Sequence, residues 1–132
     1  PVADFPGNKD MALMKAVQFV LDEDYASARE QFATVIRVSH YLQRRKGYAM
    51  NPKLIDTAEA GVRFSELMAR QMQPPTAKEG TVSLCGKINR ELTFLENGGS
   101  FVEYDAKKIR REIQDVFYNH LKQLMRKMNC SA

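Results

Sequence analysis

The stretch SFVEYDAKKIRREIQDVFYNHLKQLMRKMN, residues 100–129, decides the fold class. At about 100° per residue, Val102, Ala106, Ile109, Ile113, Val116, Phe117, His120, Leu124 and Met128 fall within one band, while Tyr104, Lys107, Lys108, Arg111, Tyr118, Lys122 and Arg126 fall on the other. A two-sided pattern sustained over this length predicts one long helix, from Ser100 to Asn129, whose apolar edge lies on a core. Ser100 with Glu103 three residues on forms a capping-box pattern for its start, with Asp105 as an alternative first residue.

Moving upstream, Asn97-Gly98-Gly99 breaks the chain before that helix. In the preceding segment, Thr81–Glu96, the first residues alternate like a strand, but Leu84, Ile88, Leu92 and Leu95 repeat at helical spacing. A lone strand leaves its backbone groups unpaired, and no second strand is at hand, so the segment reads as a helix. Pro74-Pro75 ends the helix before it, which runs from Pro52 to about Met72, with Asn51 as cap and Pro52 in the one helical position that tolerates proline. The second helix is capped by Asp24, buries Ala28, Phe32, Val35, Ser39 and Leu42, and ends at Gly47, a left-handed terminator. A first helix over about Lys9–Glu23 places Leu13, Val17, Val20 and Leu21 on a shared face. Five helices joined mostly by short connections imply an all-α, compact up-and-down bundle with a long C-terminal helix, one domain over residues 1–132.

Composition narrows the function classes. With 44% hydrophobic and 27% charged residues in a 132-residue chain, one core forms without metal or disulfide staples. The best apolar stretch, Met11–Leu21, is interrupted by Lys15 and Gln18 and falls short of the roughly 20 residues of a bilayer crossing. A net charge of +4 favours acidic partners. The two cysteines, Cys85 and Cys130, can form one bridge between the fourth helix and the C-terminus or stay free; free thiols are expected, since a secreted domain short of core carries more of them, and this favours an intracellular over a secreted setting. Asn129-Cys130-Ser131 matches the glycosylation sequon in form only.

The second helix carries an outward band like that of the last: Arg37, Tyr41 and Arg44, followed by Arg45 and Lys46. Cations that neutralise phosphates beside tyrosines that stack on bases are the equipment of sequence-tolerant single-strand binders, although solvated helix faces have the same composition. Ala58, Gly61, Ser65 and Ala69 form a small-residue strip that admits another helix at close range. Phe64 and Leu67 fall outside the seam of the third helix and Phe19 outside that of the first, which implies either a central place in the bundle or a protein contact.

Neither His40 nor His120 stands in metal-ligand spacing, and no cofactor or metal is implied; His120 reads as a hydrogen-bonded core histidine. Gly80 and Gly86-Lys87 are spaced one residue too widely for a phosphate loop, and Ile88 occupies the magnesium-ligand position. The reading is a non-enzymatic binding or assembly protein. Its basic surface, formed by Arg37, Tyr41, Arg44, Arg45, Lys46, Lys107, Lys108, Arg111, Tyr118, Lys122 and Arg126, faces an acidic partner, nucleic acid among the candidates, while Phe19, Phe64 and Leu67 serve protein contacts or self-association. Two alternatives stand beside it: a secreted helical ligand of cytokine type, and a small all-helical enzyme with an arginine-lined site.

Overall fold

A computed structural model describes residues 8–71, 81–97 and 107–130. It contains α1 (Asn8–Leu21), α2 (Tyr25–Lys46), α3 (Pro52–Gln71), α4 (Thr81–Glu96) and α5 (Lys107–Lys127), with no strand among the described residues. Consecutive helices pack against each other, and α5 closes the bundle on α1 and α3. The architecture is the all-α up-and-down bundle that the apolar periodicity implies.

Local chemistry sets the boundaries. α1 stops at Leu21, two residues short of expectation, because Glu23 turns to φ 60 and the amide of Asp24 folds back onto the carbonyl of Phe19. Asp24 then caps α2, its carboxylate accepting from the amide of Ser27, and Gly47 at φ 71 ends that helix by donating to the carbonyl of Gln43. Asn51 Oδ1 accepts from the amides of Lys53 and Leu54 and so starts α3. The expected cap at Ser100 and the linker around Pro74-Pro75 lie outside the described residues.

An aromatic line runs through the core. Phe32 meets Phe117 edge-on at 5.7 Å, Phe117 stacks on Phe64 at 4.6 Å, and Phe64 meets the edges of Tyr25 and His120. Phe32 lies so close to α3 because Gly61 has no side chain, and a Cβ there would overlap its ring. The small-residue strip therefore has a packing role: Ala58 and Ser65 are also fully buried. The Ser65 and Ser39 hydroxyls are enclosed without a partner among the described residues.

On α5, Ile113, Phe117 and Leu124 are buried as expected, and Leu121 and Met125 join them. The core face is rotated toward those two residues, so Val116 and His120 sit half-buried at its margin. The α4–α5 pair is fastened at both ends. Gln114 Nε2 donates to the carbonyl of Leu95 at one, and a disulfide joins Cys85 to Cys130 at the other. This bridge corrects the expectation of free thiols. A composition apolar enough for a core removes the need for a staple but does not prevent one when antiparallel packing brings two sulfurs together, here with Cα atoms 5.6 Å apart.

Candidate functional site

The alternating helix directions sort the functional residues between two ends of the bundle. The C-terminus of α2, the N-terminus of α3 and the start of α5 share one end; the α1–α2 turn and the last turns of α3 and α5 share the other. At the first end, Arg44, Arg45 and Lys46 are exposed and form no ion pair among the described residues, and Tyr41 beside them is half-buried. With Arg44 and Arg45, Tyr41 lines a shallow depression of about 440 Å³. From Gln31 to Ile55 the chain carries Arg37, Arg44, Arg45, Lys46 and Lys53 and not a single carboxylate. Cations in the last turn of a helix complement its negative end, which accounts for some of these residues but not for an acid-free run of this length.

The two basic faces read from the sequence do not merge into one side of the bundle. α2 packs on α1 and α3, and it meets α5 across the core through Phe32 and Phe117, so their outward faces diverge. Arg37 is exposed about two turns before Arg44 along α2, donating to Thr34 Oγ1 at 3.0 Å. On α5, Tyr118 packs partly on the core with the Lys122 ammonium 5.5 Å from its ring centre, and Lys122 and Arg126 lie toward the opposite end from Arg44. Lys107, Lys108 and Arg111 belong to the segment of α5 that starts at the cationic end, and their side chains lie outside the described residues.

Of the residues read as protein contacts, Phe64 and Leu67 are 1% and 6% exposed. They occupy the central position, because α3 is covered by α2, α4 and α5 and has apolar neighbours around most of its circumference. Phe19 is half-buried against the same core. Among the described residues, the large apolar side chains that reach the surface are Met11, Met14, Leu21 and Tyr48.

Two further concavities were not legible in the sequence. Arg63, Glu66, Leu67, Arg70, Lys87, Arg90 and Glu91 line a cleft of about 330 Å³ between α3 and α4. Its carboxylates are engaged: Glu91 holds Arg63 at 2.9 Å and Glu66 holds Arg29 at 2.9 Å. The Arg63 guanidinium also lies 5.4 Å over the ring of Phe94. Regular spacing was the available signal, since Arg63 and Arg70 lie seven apart and Lys87 and Arg90 three apart, each pair on one helical side.

At the other end of the bundle, Glu23, Tyr25, Met68, His120, Gln123, Leu124 and Lys127 enclose about 400 Å³. His120 Nδ1 is 2.8 Å from the carbonyl of Val116, which can only accept, so Nδ1 carries a proton and Nε2 is left as the second ring position. Burial, with a smaller contribution from the Glu23 carboxylate, pushes the Tyr25 phenol up to about 12, which keeps it a hydrogen-bond donor at neutral pH. Among the described residues no three His, Cys, Asp or Glu side chains converge as metal ligands would, and no helix is long and apolar enough to cross a membrane.

The chain matches no protein-family model, no curated protein and no solved structure. Its surfaces alone bear on function.

Proposed function

We propose that the protein is a non-enzymatic helical binding protein that docks an acidic partner on the cationic end of its bundle, with Arg44, Arg45 and Lys46 as the described contacts. The observation that supports this reading is local charge imbalance: residues 31–55 carry five cations and no carboxylate, and the last turn of α2 has no described counter-ion, whereas Arg29 is paired with Glu66 and Arg63 with Glu91. Helix α5 adds Lys107, Lys108 and Arg111 to the same end by position. Tyr41 beside the arginines supplies a ring for stacking, which favours single-stranded nucleic acid among acidic partners.

The arginine-lined cleft between α3 and α4 supports the enzyme alternative less well, since each of its carboxylates already holds an arginine and is not a free base. The Cys85–Cys130 bridge supports a second reading of the setting: a binding protein of an oxidising compartment, where such bonds persist. Its described α1–α2 and α2–α3 connections are short, unlike the long crossovers of cytokine bundles.

The test is fluorescence anisotropy with a labelled single-stranded 20-mer across a salt series. Binding weakens with salt, and replacing Arg44, Arg45 and Lys46 together by alanine lowers the salt slope by about 2, roughly 0.7 for each phosphate no longer neutralised. Replacing Lys122 and Arg126 at the far end leaves affinity unchanged. An affinity that is flat with salt, or a triple variant that binds like the parent, overturns the reading.

A further inference from the structure

Of the six asparagines in the chain, Asn129 alone has a serine or threonine two residues on, in Asn129-Cys130-Ser131. A three-residue match carries little weight by itself, but the fold adds two independent observations. The first is the place of the side chain. Asn129 stands just past α5 at φ 56, its amide donating to the carbonyl of Arg126 at 3.1 Å and that of Cys130 to Met125 at 3.0 Å. The core residues Leu121, Leu124 and Met125 end one turn earlier, and Asn129 is exposed, with no side-chain partner among the described residues. The second is the bond from Cys130 to Cys85, which belongs to an oxidising compartment. Asparagine is an ordinary helix terminator in the left-handed position. That role accounts for residue 129, but it calls for neither the bridge at 130 nor the hydroxyl at 131.

We propose that Asn129 is an acceptor for an N-linked glycan. In the transfer, Asn129 Nδ2 loses a proton and bonds to the anomeric carbon of the first sugar. The bond that breaks joins that carbon to the diphosphate of a lipid-linked oligosaccharide donor; the lipid diphosphate leaves with the electron pair and the amide proton passes to solvent, with no change of oxidation state. The native turn and the bridge hold Asn129 and Cys130 in place. Transfer therefore belongs to the newly made chain, before Cys130 is joined to Cys85. Ser131 itself lies outside the described residues. Once attached, the glycan projects from the end of the bundle opposite Arg44, Arg45 and Lys46 and leaves that basic surface open to a partner.

The proposal rests on the oxidising-compartment reading and not on the acidic-partner one. Its test is intact-mass spectrometry of the protein from its own source, with and without a peptide N-glycosidase, after thiol alkylation under denaturing, non-reducing conditions. Expected are no alkylated thiol and a mass excess that the glycosidase removes in one step, leaving aspartate at that position. A bridged protein with no glycosidase-sensitive mass overturns the glycan and leaves the compartment reading standing; two alkylated thiols and no glycan overturn both. Expressed through a eukaryotic secretory pathway, the parent chain carries the same excess, and Asn129→Gln and Ser131→Ala each lose it. The second variant keeps Asn129 and its left-handed turn, so its loss reports on the acceptor sequence and not on folding. Sugar that persists in either variant overturns the assignment.

Discussion

Breaking the Cys85–Cys130 bond tests how the last third of the chain is held. The bond closes a loop of 45 residues that contains most of α4 and all of α5. In a chain-entropy treatment, a closed loop of that length removes about 13 cal/mol/K from the unfolded ensemble, or about 4 kcal/mol at 25 °C. Both sulfurs belong to half-buried residues, so serine at both positions leaves little void and few stranded polar groups. The prediction is that Cys85→Ser/Cys130→Ser lowers the unfolding free energy by about 4 kcal/mol and raises the urea m-value, because the unlinked unfolded chain exposes more surface. Urea unfolding followed by far-ultraviolet circular dichroism measures both quantities. The helical signal before the transition is unchanged, since the remaining fastening at Gln114 and the buried Ile88, Leu92, Ile113 and Phe117 persist. Equal stabilities for the two forms, or two alkylatable thiols in the unreduced, denatured protein, refute the reasoning.

Two glycines give opposite outcomes. Gly61→Ala destabilises by about 2 kcal/mol despite the gain in helix propensity, because the new methyl overlaps the buried Phe32 ring. Gly86→Ala, exposed within α4 with open space at its Cβ, stabilises by about 0.5 to 1 kcal/mol in the same urea assay. For Tyr25, the unfolded phenol ionises near 10 and the folded one at about 12, so the folded state binds its proton more tightly. Stability from this group is complete below pH 10 and is lost as pH rises through 12. Tyr25 therefore titrates late in absorbance at alkaline pH, and Tyr25→Phe removes that late step.

Helix periodicity carried most of the fold because capping residues and apolar spacing act over four residues, within reach of local sequence. Asp24, Gly47 and Asn51 do at the helix ends what their side chains or backbone freedom suggest. The core face of α5 was harder to read. Which edge of a broad apolar band turns inward depends on the neighbouring helices, and α5 packs against three of them, which drew in Leu121 and Met125. Phe64 and Leu67 had two readings for the same reason: burial of an all-round apolar helix is decided by its place in the bundle. The disulfide was one of two readings open to the only cysteine pair, and sequence could not choose between them because the two residues meet through tertiary packing; both interhelical concavities were invisible for the same reason. Glu23 and Tyr25 meet His120 and Lys127 only through tertiary packing. Basic residues at the end of α2 were legible, but their separation from Lys122 and Arg126 followed from helix direction.

The hairpin-by-hairpin connectivity also shapes how the molecule forms. Each helix finds its first partner in the element that precedes or follows it, and the packing of α1 on α5 is what joins the chain's two extremes. Low contact order of this kind belongs to chains that collapse to the native state within microseconds to milliseconds. Synthesis order then matches assembly order: α1, α2 and α3 can associate before α4 and α5 arrive to complete the closure.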